Sequence, residues 1–440
     1  MGITDKIREA GVVGAGGAGF PTHVKAAGKA KIVLANGAEC EPLLRVDRLM
    51  MRHYPEKIVR GLKAVMESTG APRGVICLKE KYTAATAALK GALKGEENIE
   101  IYPLKNYYPA GDEQRLVYEV TGKVVPTGGI PLDVGAVVSN VSTLLNIAEA
   151  LEGNPVTDRY VTVGGEVERP VTVKVPLGTP VKALIAAAGG PETMDGYTMI
   201  IGGPATGALC SDKNEPVKKT TGGVLIFKTD HPLIRKKTDD GELDVKLAKA
   251  VCCQCSMCTQ MCPRNLLGLG VEPHKIMRAA FMGQGSLTGD VNGIFSCCDC
   301  GLCSYYACNF GLSPSRMMTR VKDGLMAGGY RPEKKVYGKV SPAVDTVKVP
   351  TGRLMARMGI AQYDKETPLI EQELPIRAVR LPLQMHIGAP SRPVVKAGDT
   401  VKKGQLVADI PEGKLGAKIH ASIGGEVADV TDGYIEILGG

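Results

Sequence analysis

The sequence predicts a multidomain α/β chain that carries a cysteine-rich helical segment and ends in an all-β unit. Three observations support that expectation. Short apolar strand patterns alternate with amphipathic helical patterns over the first third of the chain. Ten of the thirteen cysteines fall between positions 230 and 331. Beyond position 376, short alternating strands are separated by glycines.

A chain of 440 residues, 44% hydrophobic and 23% charged, has apolar surface for about three or four separate cores. Its net charge of +8 is interspersed with acidic residues instead of gathering into a basic tract, so no nucleic acid partner is expected. The stretch 1–11 is too charged for a secretory signal, and no run reaches the roughly eighteen apolar residues of a membrane span. A cytoplasmic location follows as the expectation. Thiols stay reduced there, which makes a cysteine-rich segment a metal question, not a disulfide one.

In chain order, 1–155 predicts strands at 31–36, 74–78 and 98–104 between helices at 53–68, 84–93 and 141–151; Ile58, Leu62 and Val65 share one helical face. Strands at 160–163, 171–175 and 197–201 with a helix at 179–188, closed by Gly189 and Gly190, make 156–229 a small α+β module. The cysteine segment spans 230–331, and 332–375 is polar enough for a linker with one short helix. In 376–440, Gly388, Gly398, Gly404, Gly424 and Gly425 mark the turns of a compact β barrel or sandwich.

Cys252-x-x-Cys255-x-x-Cys258-x-x-x-Cys262-Pro263 is the bacterial ferredoxin run, in which the fourth thiolate serves the other cluster. A second run, Cys297, Cys300, Cys303 and Cys308, has one extra residue before its last member and Asn309 in place of Pro. The crossed assignment gives one [4Fe-4S] cluster to Cys252, Cys255, Cys258 and Cys308, and the other to Cys297, Cys300, Cys303 and Cys262. Structural zinc is the rival, but zinc ribbons use separated pairs of ligands. Cys253 and Cys298 each follow a first ligand and could take its role by a one-residue slip. Cys40, Cys77 and Cys210 lie outside the ladder, where a buried thiol is usually packing.

Gly14-x-Gly16-x-x-Gly19 satisfies the dinucleotide expression, yet a helix and not a strand is predicted before it. The blocks that follow say more. Gly14 to Thr22 with Lys25, Asn36-Gly-Ala-Glu39-Cys-Glu41-Pro with Asp47, Tyr108-Pro-Ala-Gly111-Asp-Glu113, and Val138-Ser-Asn140-Val-Ser-Thr143 resemble, in order, the flavin and NADH site of the complex I 51 kDa subunit family. The resemblance implies FMN against Gly14, Gly16, Gly17, Gly19, Lys25, Asn36, Glu39, Gly111, Asn140 and Thr143, with NADH entering near Phe20 and Glu41. Ala15, Cys40, Asp112 and Ser139 stand where that family has Arg, Ser, Glu and Asn, and an aromatic residue that helps stack the nicotinamide is missing after Lys25.

The segment 160–227 resembles the SLBB module that follows the flavin domain in that family. End to end, the chain resembles the RnfC-like electron-transfer flavoproteins, most closely their PduS-type cobalamin reductase branch; its barrel, with Gln384 to Pro390 and His420 to Ser422, lies at the C-terminal side, whereas RnfC proper carries it first. The resemblance implies a Rossmann-like FMN domain, a β-grasp SLBB module, a two-cluster ferredoxin-like helical segment and a barrel-sandwich hybrid. That last domain is similar to lipoyl or biotinyl carriers, in which Lys414 or Lys418 would be the modified residue; because the carrier hairpin sequence is absent, an unmodified sandwich that docks partners or covers the flavin domain is expected instead. The implied activity takes electrons from NADH through FMN and two clusters to cobalamin. Expected partners are a corrinoid enzyme or adenosyltransferase, with the chain standing as one member of an oligomer or complex. The rival reading is an electron-entry subunit delivering to a partner enzyme such as methylenetetrahydrofolate reductase or another soluble redox complex. The compartment is the cytosol or the lumen of a bacterial microcompartment. No catalytic acid or base is expected, because such a protein works by positioning and potential tuning.

Overall fold

The computed structural model describes residues 1–238, 241–372 and 374–439. The N-terminal domain is built on four parallel strands in the order Ile99–Leu104, Arg73–Lys79, Ile32–Gly37, Ala136–Asn140. Helices cover both faces, so the central strands are apolar throughout and do not alternate; five of the six residues of Ile32–Gly37 are buried. The helix Pro55–Thr69 buries Ile58, Leu62 and Val65 and ends at Gly70, whose φ of 66° is the left-handed conformation of a helix stop. Chain order runs outward from Ile32–Gly37 and then returns on its other side, so the order reverses between that strand and Ala136–Asn140. Ligands of open α/β sheets bind at the carboxyl ends of strands at such a reversal. Asn36 and Asn140 occupy those two ends, paired in register.

The second module is a mixed sheet ordered Leu369–Ile370, Val171–Pro176, Asp158–Gly165, Gly223–Lys228, Tyr197–Ile201, Ala208–Cys210, with the helix Val181–Ala187 closing its apolar face. The segment 332–375 does more than link. Leu369–Ile370 adds an edge strand to this sheet, and Val349–Pro350 pairs with Tyr107–Tyr108 of the first domain. The helix Thr351–Met358 between them buries Leu354 and Met358. Two-residue strands are too short to leave a periodicity, which is why the stretch reads as linker.

In the cysteine segment, the helices Gly241–Val251, Pro273–Met282 and Pro314–Ala327 surround a core that includes Leu269, Ile276, Ile294 and Met318. The C-terminal domain is two antiparallel sheets: Ala378–Pro382, Tyr434–Leu438, Gly425–Val430 and Thr400–Val401 in one, Arg392–Pro393, Leu406–Asp409 and Ile419–His420 in the other. Its core residues Val407, Val427 and Ile437 belong to one apolar cluster with Ile7, Val33 and Leu144 of the first domain. Lys418, one of the two carrier-like lysines, is tied to Glu9 across this seam and to Asp409 within the sandwich. Among the described residues, no helix is long and apolar enough to cross a membrane.

Candidate functional site

The glycine loop begins after the helix Ile3–Glu9, as the sequence predicts, and folds back on itself: Gly14 N donates to Phe20 O at 2.9 Å and Thr22 N to Val12 O at 3.1 Å. Its near side faces a cleft of about 400 Å3 lined by Gly14, Gly16, Gly17, Gly19, Phe20, Lys25, Asn36, Glu41, Gly111, Asn140 and Thr143. Glu39 lines an adjoining chamber of about 610 Å3 that shares Gly16, Gly17, Asn36, Glu41, Gly111 and Asn140 with the cleft. All twelve residues expected at the flavin and NADH site thus stand around one connected space.

Two of the glycines are needed for close approach. A methyl group on Gly16 would sit 2.7 Å from the Asn140 amide nitrogen, and one on Gly111 would meet Ala38, Asn36 and Cys40 at 2.9 to 3.0 Å. On Gly17 it would touch nothing within 4 Å, so here bare backbone fronts open space. The polar rim is fixed by local bonds. Asn36 Nδ2 donates to Gly111 O at 2.9 Å; Lys25 Nζ donates to Val138 O at 2.8 Å and pairs with Glu113 at 3.1 Å. Asn140 caps the helix Val141–Leu151 through Ser142 N at 2.9 Å and donates to Asp47 at 2.7 Å, while Thr143 Oγ1 accepts from Ala15 N at 2.9 Å.

Glu39 accepts from Asp47 N at 2.8 Å with one oxygen, and its other oxygen is buried without a partner. Burial first, and then the Asp47 carboxylate, push its pKa up to about 7 against the pull of Arg45. Glu41 faces the second module, accepting from Ala205 N at 2.9 Å, and burial raises its carboxyl as well. Burial also pushes the Cys40 thiol up to about 11. Close glycine walls, amide and lysine groups at the edge and an unpartnered buried oxygen together fit a flavin.

The cysteine runs fold alike. The middle member of each is flanked by left-handed residues, Gln254 and Ser256 around Cys255, and Asp299 and Gly301 around Cys300. The extra residue in the second run is absorbed by a π-helical turn, Cys303–Ala307, closed by Cys308 N donating to Cys303 O at 3.1 Å. Cys308 therefore reaches the first run: Cys252, Cys255, Cys258 and Cys308 border one small cavity with Cys253 and Phe310. Cys262 lies instead among Cys297, Cys298, Cys300 and Cys303, whose charges act on one another. Burial pushes the Cys258 and Cys262 thiols up to about 12, a cost that the positive charge of cluster iron would offset. The donor set thus fits cluster binding.

Cys298 and Cys300 also stand in the wall of the flavin-like cleft, beside Tyr108, whose hydroxyl donates to Cys300 O at 2.7 Å. Sequence reasoning leaves Cys298 as an alternative ligand and misses Arg159, which lines the adjoining chamber from the second module. An arginine in a strand pattern carries no signal of burial.

Fold and site together define a flavin-domain protein joined to an iron-sulfur dicluster segment. The Nuo51 FMN-binding domain matches residues 7–149, the SLBB domain 160–206, the 4Fe-4S dicluster domain 251–313 and the RnfC barrel sandwich hybrid domain 359–437. Over 442 aligned positions the chain is 42% identical to the cobalamin reductase PduS of Salmonella typhimurium, covering 100% of this chain and 96% of that one; the Citrobacter freundii PduS is 41% identical with the same coverage. The chain belongs to the PduS cobalamin reductase family. A component of the Na+-translocating ferredoxin:NAD+ oxidoreductase complex of Acetobacterium woodii is 36% identical over 278 residues, 62% of this chain and 60% of that one. An NAD+-reducing [NiFe]-hydrogenase in the H2-reduced state shares the fold, with a TM-score of 0.50, 20% identity and coverage of 74% of this chain and 61% of that chain.

Proposed function

We propose that the chain oxidises NADH at the cleft and passes the electrons singly, through two [4Fe-4S] clusters on its cysteine runs, to cobalamin. One observation carries this reading: Cys300, assigned to the second cluster, shares the cleft wall with the glycine loop, so a cluster ligand and flavin-site residues line one space. A flavin bound there supplies the conversion between the two-electron hydride chemistry of a nicotinamide and the one-electron chemistry of iron-sulfur clusters. The chain's own residues act by position. Gly14, Gly16, Gly17, Gly19 and Gly111 present backbone to the ligand, and Lys25, Asn36, Glu39, Asn140 and Thr143 supply its polar edges. Phe20, 36% exposed at the rim, and Glu41 border the approach for the nicotinamide. Cys252, Cys255, Cys258 and Cys308 hold one cluster, and Cys262, Cys297, Cys300 and Cys303 the other.

The acceptor rests on the PduS relatives, which match over nearly their whole length. A second reading, an electron-entry subunit delivering to a partner enzyme such as a corrinoid enzyme, an adenosyltransferase or a methylenetetrahydrofolate reductase-type complex, is favoured by the relative from the ferredoxin:NAD+ oxidoreductase complex. Either way the work is cytosolic or inside a microcompartment. The test is oxygen-free purification with metal and flavin counts, then NADH titration followed optically. About eight iron atoms and one FMN per chain, both bleached by NADH, with cobalamin reduced unaided, is the expected result. Zinc in the cysteine segment, or no bleaching by NADH, overturns it; cobalamin reduction only with an added partner shifts the assignment to the second reading.

A further inference from the structure

The glycine loop is held by two modules other than its own. Three of its carbonyls, at positions 11, 15 and 19, are each taken by a donor from elsewhere. Lys219 Nζ, from the second module, donates to Gly11 O at 2.6 Å and to Lys418 O of the C-terminal sandwich at 2.7 Å. Arg159 Nη2 donates to Ala15 O at 2.7 Å while its Nε holds Thr221 O at 2.8 Å. Ile387 N of the sandwich donates to Gly19 O at 3.1 Å. The seam has no slack: a methyl group on Gly11 would sit 2.2 Å from Lys418 O, and one on Gly19 would sit 3.1 Å from both His386 Cα and Met385 O.

Five glycines between positions 11 and 19 make this the most conformationally free stretch at the site. Its order must be imposed from outside. Bonds that fix carbonyls of the loop leave the backbone at Gly17, which meets open space, free for a ligand. The cations that do this are costly to bury. Lys219 is 2% exposed and Arg159 6% exposed, and the hydrogen bonds of both go to backbone carbonyls. Burial alone brings the Lys219 amine down to about 7.

Building on the flavin reading of the cleft, we propose that Lys219 and Arg159 are positioning residues that preset the glycine loop for FMN, which makes the C-terminal sandwich a support of that loop instead of a detachable carrier. The occupant is a flavin mononucleotide, and the contribution is preorganisation: FMN meets a loop already in its binding shape.

The test uses the full chain stripped of flavin under anaerobic conditions. FMN affinity is read by fluorescence quenching, and amide hydrogen exchange is read without flavin. Lys219→Met should weaken FMN binding about tenfold, the scale of one lost net hydrogen bond. Exchange should rise within 11–19 while it stays unchanged in Ile32–Gly37 and in Val141–Leu151. Lys219→Gln, which keeps an N–H donor, should recover part of the loss. Ile387→Pro removes the donor to Gly19 at a side chain that is 43% exposed, and should act in the same direction. A Lys219→Met protein that binds FMN as tightly as the parent overturns the proposal, and so does a rise in exchange spread evenly over the whole first domain. A parent that takes up no FMN overturns the flavin reading itself.

Discussion

Arg264, two residues beyond Cys262, grips Asp112 at the edge of the cleft in a bidentate ion pair, with Nε and Nη2 each 2.6 Å from a carboxylate oxygen. Asp112 also caps the helix Glu113–Thr121 by accepting from Arg115 N, and Arg264 Nη1 donates to Ser296 O at 3.1 Å, next to Cys297. One buried guanidinium therefore joins both cysteine runs to the flavin-like domain. The Asp112 carboxylate thus faces the cysteine segment.

Removing one partner of that pair strands the other charge. Asp112→Ala should cost about 3–5 kcal/mol, and the double change Asp112→Ala with Arg264→Met should cost clearly less. Anaerobic denaturant titration of the two variants checks this; equal losses would show that the pair does not hold the segments together.

Tyr108→Phe deletes the hydroxyl that reaches Cys300 O and should lower stability by only about 1 kcal/mol. Its effect should fall on transfer between centres: flavin bleaching by NADH keeps its rate and cluster bleaching slows. Stopped-flow absorbance at flavin and cluster wavelengths separates the two.

Iron counts distinguish the thiols. Cys308→Ser should lose about four iron atoms, one cubane's worth, whereas Cys253→Ser should lose none. A full iron complement in Cys308→Ser would mean that the π-helical turn delivers the wrong residue.

Burial holds His420 down to about 4 from the ordinary 6.5, helped by the nearby Lys219 and Lys418 charges. The unfolded chain then binds the extra proton between those two values. The contribution is intact above pH 6.5 and is lost as pH falls toward 4, by up to about 3 kcal/mol. His420→Gln should flatten that part of the stability profile, measured by thermal unfolding across pH 4 to 7.

Local signals are the legible ones. The strand predicted at 31–36 lies at Ile32–Gly37, because a strand buried on both faces is an unbroken apolar run. The cysteine spacing is legible because cluster ligands are set by short loops. The fourth strand, Ala136–Asn140, is not among the expected strands: five residues feeding straight into a helix merge with the helical pattern. Lys219 and Arg159 are invisible for another reason. Each is an ordinary basic residue until another module closes on it, and contacts between residues more than a hundred positions apart leave no periodic trace.

The seam between Lys418 and Glu9 bears on how such chains are assembled. From Glu9 the first helix runs back only about 10 Å to Ile3, at 1.5 Å per residue. The two partners stand 409 positions apart, yet the sandwich and this helix are neighbours in space. Whatever loosens one of them is felt by the other, however much chain lies between.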